Sequence, residues 1–212
     1  MTERNEWLNR ISEASTDEER ANIYSDWSID YERQVMEEGY IMPVLMSALV
    51  TRHVQSRSAP ILDVGAGTGI LGACLAILGY RHIFALDYSP VMLGICRKRG
   101  VYRDFFQRTL GKPLLLPDGL FHAVVVMGVF GTGHAPPHSL NDLVRLIASG
   151  GHIIFSLRPD DYDTGLFRES LIGLEENGHW KHIETTEPFN SVPLASSPIM
   201  NRISVYRIAS PS

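Results

Sequence analysis

The stretch "ILDVGAGTGI", Ile61 to Ile70, decides how this chain is read. A short apolar run encloses one acid, Asp63, and glycines then follow at every second position: Gly65, Gly67 and Gly69. One glycine satisfies a tight strand-to-helix turn. Three in alternation imply a backbone held at positive φ or brought very close to something else. Asp63 lies too early to be the N-cap of the helix that follows.

Outward from that stretch, apolar runs and helical patterns alternate. "PILDV" leads to "GILGACLAILG", "HIFALD" to "SPVMLGICRKRG", and then come "DFFQRTL", "FHAVVVMGV", the helix "HSLNDLVRLIAS" and the strand "GHIIFSLR". Continuous runs such as "AVVVMGV" suit strands buried on both faces of a parallel sheet. The alternation implies right-handed crossovers and a doubly wound α/β sheet. A helix in "GLFRESLIGLEENG" is followed by "HWKHIETTEPF" and "RISVYRIA", expected as an antiparallel pair closing that sheet. Upstream, residues 5–52 read as three helices, with Ser15 or Thr16 as the N-cap of the second. The expectation is one domain over 1–212, with a helical cap over 1–52 and a Rossmann-like core over 53–212.

Composition narrows the partners. The net charge is −5, and residues 1–40 hold eleven acids against four arginines, so the rest is close to neutral. Phosphate-backbone binding requires a basic face, and none is evident. "RKRGVYRDFFQR", Arg97 to Arg108, is the densest basic stretch, and its first half reads as a solvated helix end favoured by the macrodipole. No run of eighteen apolar residues exists, which argues against a membrane span, and the polar start does not resemble a signal peptide. Cys74 and Cys96, both in apolar helical patterns, suit a reducing compartment, so a cytoplasmic location is expected.

An open α/β sheet binds ligands beyond the carboxyl ends of its strands, so the glycine loop marks the site. The dinucleotide fingerprint G-x-G-x-x-G fits only from Gly67 to Gly72, with an acid just before the turn where a pyrophosphate would sit. The register Asp63-x-Gly65-x-Gly67-x-Gly69 suits instead a ligand with a positively charged end. "ILDVGAGTG" resembles the first motif of class I S-adenosylmethionine (SAM)-dependent methyltransferases. "YSDWSIDYERQV", "LGKPLLLPDGLFHAVVVMGVF" and "LIASGGHIIFSLR" are similar to the methyltransferase-like 27 (Williams–Beuren region) group. The resemblance runs from about Tyr24 to Lys181 and implies a seven-stranded, mostly parallel sheet with an antiparallel C-terminal strand.

It also implies SAM as cofactor and S-adenosylhomocysteine as product. The implied cofactor positions are Asp63, Gly65, Ala66, Gly67 and Gly69 in the loop, and Asp87 on the ribose hydroxyls with Tyr88 against the adenine. Thr109 and Leu110 stand where the family often places an acid, and Met127 closes the fourth strand. Tyr24, Trp27 and Tyr31 fall at helical spacing and read either as a core stripe or as a lid over the ligand. His122 replaces a frequent Asp at the start of the fourth strand, and "SGG" at Ser149 to Gly151 replaces Pro-Gly-Gly.

His134 and His138 are separated by Pro136 and Pro137, so they share no helix face and do not make a metal site. His134, in the loop after the fourth strand, is the candidate general base, against the alternative of a loop histidine without chemical role. Methyl transfer needs alignment more than a nucleophile, so the acceptor is faintly written. The N-terminal segment, "GVFGTGHAPP" and "FNSVPLASSPIMN" are expected to supply its surface, which suits a small molecule with an apolar part and, second, a protein side chain. The alternatives in other classes are a SAM-binding protein without turnover and an NAD-dependent oxidoreductase.

Overall fold

In the computed structural model, residues 3–14, 16–131, 135–163 and 165–210 are described. Three helices come first, α1 (Glu3–Glu13), α2 (Asp17–Glu37) and α3 (Met42–His53). Thr16 caps α2 in a capping box: its hydroxyl accepts from Glu19 N at 3.1 Å and its own N–H donates to the Glu19 carboxylate at 3.3 Å. Ser15, the other expected cap, lies outside the described residues.

Alternation follows as the sequence implies: β1 (Ile61–Val64), α4 (Ile70–Ile77), β2 (Ile83–Asp87), α5 (Pro90–Lys98), β3 (Tyr102–Gln107) and β4 (Phe121–Val126). Then come α6 (Ser139–Arg145), β5 (Ile147–Leu157), α7 (Pro159–Asp163), α8 (Leu166–Glu176), β6 (Trp180–Thr185), β7 (Phe189–Asn190) and β8 (Met200–Ile208). The sheet runs β3-β2-β1-β4-β5-β8-β6, with the short β7 paired to the start of β8. β1 to β5 are mutually parallel, whereas β8 is antiparallel to β5 and to β6. β1 is an inner strand, fully buried between β2 and β4, and the strand order reverses between β1 and β4.

Two apolar layers flank the sheet. One gathers Leu62, Val124, Phe155, Phe167 and Trp180, and the other Met46, Val50, Ile61, Leu75 and Val125. Trp180 and Tyr206 stack at 4.2 Å, so the antiparallel end is closed by aromatic packing. Among the described residues no helix is long and apolar enough to cross a membrane.

The structure departs from the sequence reading in three places. The helix expected over 138–149 stops at Arg145 because Ile147 pairs with Phe121 and is drawn into the sheet. Gly150, at φ +75°, then accommodates the irregularity in β5. The helical turn α7 and the two-residue β7 were too short to leave a periodic signal.

Candidate active site

The glycine loop follows from the local chain. Gly65, Gly67 and Gly69 have φ of +66°, +55° and +86°, a region L side chains rarely adopt. A Cβ on Gly65 would lie 2.2 Å from Val129 Cγ2, so this glycine also admits the chain after β4. Among the described residues, a Cβ at Gly67 would meet only the Gly65 carbonyl oxygen, at 3.9 Å, which leaves these residues' face above the loop open. The N–H groups of Gly65 and Ala66 both donate to Leu86 O, at 2.7 and 3.1 Å, tying the loop to the end of β2.

Asp87 ends β2 and is only 5% exposed. One carboxylate oxygen accepts from Gly67 N at 2.8 Å and the other from Ser89 N at 2.9 Å. Burial raises its pKa, and the Ser89, Gly67 and Tyr88 backbone bonds oppose that rise. Ser89 also caps α5, its hydroxyl accepting from Met92 N, with Pro90 in the first turn. The acid is therefore fixed between the loop and a helix start.

Beyond the carboxyl ends of β1, β2, β3 and β4 lies a cavity of about 210 Å³. Of the residues expected at the site, Gly65, Ala66, Gly67, Asp87, Tyr88, Thr109, Leu110, Met127 and Tyr31 line it. Asp63, Gly69 and Trp27 do not. Asp63 is 1% exposed and lies behind the loop, its carboxylate accepting from the Tyr102 hydroxyl at 2.6 Å. Desolvation pushes its pKa up to about 7, with Tyr102 pulling the other way. Gly69 faces Arg99, Cys96 and Tyr102 rather than the cavity. Trp27 is 2% exposed, its indole N–H donates to Gln34 Oε1 at 2.7 Å, and its ring packs on Trp7 and edge-on to Tyr31. Tyr24 lies in α2, its side chain outside what is described, and His134 lies outside the described residues altogether.

The fingerprint that would begin at Gly67 ends on a glycine with another task. A Cβ on Gly72 would sit 2.1 Å from the Tyr102 hydroxyl, so Gly72 seats the tyrosine that reaches Asp63.

Val129 and Pro136, from the "GVFGTGHAPP" loop expected to face the acceptor, also line the cavity, as does Arg108, which the sequence places in a basic stretch without a site role. For Arg108 the detectable signal is position alone, directly after the carboxyl end of β3. The "FNSVPLASSPIMN" connection contributes nothing to the cavity wall. It pairs instead with the turn between α2 and α3, where Ile41 N donates to Ser191 O and Leu194 N to Glu38 O.

Comparison with known proteins agrees with this geometry. A family model described as "Methyltransferase domain" matches residues 62–155. Human methyltransferase-like protein 27 is 30% identical over 170 residues, covering 77% of this chain and 69% of that protein. Among solved structures, Burkholderia thailandensis 1,6-didemethyltoxoflavin-N1-methyltransferase, with 1,6-didemethyltoxoflavin and S-adenosylhomocysteine bound, superposes with TM-score 0.64 at 18% identity. That match covers 93% of this chain and 92% of the other. A [4+2]-cyclase, SpnF, shares the fold at TM-score 0.60 and 17% identity, covering 80% of this chain and 82% of its own. The chain belongs to the SAM-dependent methyltransferase family that includes methyltransferase-like protein 27. SAM is accordingly its cofactor, and the site suits it: an open face above Gly67, a fixed carboxylate at the end of β2, and no phosphate to accommodate.

Proposed function

We propose that this protein transfers the methyl group of SAM to a small molecule with an apolar part. The observation that carries the reading is the cavity wall beside the glycine loop, where Tyr31, Met127, Val129 and Pro136 face Asp87 and the loop backbone. The structural neighbour with 1,6-didemethyltoxoflavin bound, a small molecule, supports the choice. A protein acceptor is the second reading.

When bound, SAM supplies an electrophilic methyl on a sulfonium centre. The chain's work is then placement. Asp87 would accept hydrogen bonds from the ribose hydroxyls with its remaining lone pairs, and Tyr88 would pack against the adenine. The backbone at Thr109 and Leu110 meets the base edge, and Gly65 and Gly67 let the main chain approach. Tyr31 and Pro136 keep the acceptor aligned and exclude water. His134 is the proton acceptor in this reading. The free Cys74 and Cys96 fit a reducing compartment, hence the cytoplasm, and a disulfide in freshly isolated protein would contradict that.

Incubation with SAM carrying a deuterated methyl, separately with a small-molecule and a protein fraction of a cell extract, tests the proposal by mass spectrometry. A labelled small-molecule product is expected. Label only in protein would move the acceptor to the second reading. Binding without any label would mean that the fold here serves another chemistry, as the cyclase shows it can.

A further inference from the structure

The glycine loop lies between two buried carboxylates. Asp87 touches the loop from the cavity side through Gly67 N, and Asp63 lies behind it, 1% exposed, two residues before Gly65. Among the described residues neither forms an ion pair. The nearby guanidinium of Arg99 is engaged elsewhere, with Nε donating to Thr68 O and an ion pair to Glu32 of α2, both at 2.5 Å. Buried carboxylates without a counter-cation are costly, and the chain meets that cost at Asp63 with one hydroxyl and one backbone N–H, from Tyr102 and Gly72. Tyr102 reaches Asp63 only because residue 72 is glycine.

We propose that Tyr102 is a positioning residue of the cofactor site: through Asp63 it sets a negative charge behind the glycine loop, and binding of the cationic amino-acid end of SAM expels a proton from Asp63. This rests on the proposed SAM site. The proton leaves to solvent, Asp63 becomes carboxylate, and the Tyr102 hydroxyl donates to it. The groups facing Asp63 make it the one that titrates near neutrality. Burial raises its pKa most, the Tyr102 and Gly72 hydrogen bonds oppose the rise and repulsion from Asp87 adds to it, which leaves it at about 7. The Cys96 thiol, also beside Tyr102, is pushed by burial up to about 12 and stays neutral, and the Tyr102 phenol is raised well above its ordinary range.

Calorimetric titration at several pH values with SAM, S-adenosylhomocysteine and 5′-methylthioadenosine tests this. The last keeps the thioether nucleoside and loses the charged amino-acid end. If only the ionised form of Asp63 is binding-competent, affinity for SAM rises about tenfold or more between about pH 5.5 and about pH 7.5. S-adenosylhomocysteine, which keeps the ammonium, rises in the same direction, and methylthioadenosine stays flat. Measurements stop below about pH 8, where the ligand's own amino group titrates. Tyr102→Phe, which keeps the ring against Gly72, moves the midpoint upward, and Asp63→Asn abolishes the pH dependence. The same slope for methylthioadenosine would assign the proton to Asp87 and overturn the proposal, as would an unchanged slope in Asp63→Asn or an unmoved midpoint in Tyr102→Phe. A flat profile for SAM overturns it alone, whereas absence of binding by all three ligands overturns the SAM site as well.

Discussion

At the scale of the residue, the proposed ribose contact would have Asp87 serve both fold and ligand. Its two hydrogen bonds to Gly67 N and Ser89 N hold the loop to the start of α5, leaving further lone pairs for ribose hydroxyls. Asp87→Ala is expected to weaken SAM binding at least tenfold, since two charge-assisted bonds of about 1.5–3 kcal/mol each are lost and water replaces only part of them. Unchanged affinity by calorimetry would place the ribose elsewhere. His152 on β5 gives a second residue-scale test. Its ring lies near His53 and His122, its Nδ1 is buried without a hydrogen-bond partner among the described residues, and burial with His53, His122 and Arg207 lowers its pKa to about 4. His53 is paired with Glu184, which is also paired with Arg52. The unfolded chain therefore binds the extra proton between about pH 6.5 and about pH 4, and stability falls as the pH falls through that window. Asp63 acts in the opposite sense, because its raised pKa makes the native state the better proton binder between 3.8 and about 7. His152 is thus read as a difference: denaturant midpoints should decline less steeply with acidity in His152→Gln than in the wild type. The effect is on the order of 1–2 kcal/mol after allowing for solvent screening of a half-buried ring. Parallel profiles would remove His152 from the account.

At the scale of the element, the parallel strands were legible because β1 is buried along its length and β4 everywhere but His122, with an unbroken apolar run from Ala123 to Val126. The glycine register was legible because positive φ at Gly65, Gly67 and Gly69 is a backbone demand that few residues meet. What Asp63 touches was not, because Tyr102 is thirty-nine residues away and its approach depends on a missing Cβ at Gly72. The aromatics of α2 illustrate the same limit. Helical spacing put Trp27 and Tyr31 on one stripe, yet Trp27 turns to Trp7 and Gln34 while Tyr31 meets the cavity. Spacing defines a face and leaves open which neighbour covers it. The Glu32–Arg99 pair links α2 to the glycine loop through Thr68 O, so ligand on the loop should steady α2. Amide exchange across residues 24–35 is expected to slow when SAM is added, whereas identical exchange in both states would make α2 a fixed wall.

At the scale of the whole molecule, the reversal of strand order between β1 and β4 places the cavity where an open α/β sheet binds its ligands. That architecture is shared by nucleotide enzymes of several kinds, and the loop chemistry decides among them. Gly72 seats Tyr102, the alternate glycines open above Gly67, and Asp87 ends β2, a combination suited to a ligand with a cationic end and no pyrophosphate. The central claim is therefore one of ligand choice, and calorimetric titration of the full chain with SAM and, separately, NADH tests it most directly. The account predicts saturable SAM binding at micromolar or tighter dissociation constants, on the order of −8 kcal/mol or more favourable, and no measurable heat of binding with NADH. Binding of NADH as tight as that of SAM, or tighter, would contradict it.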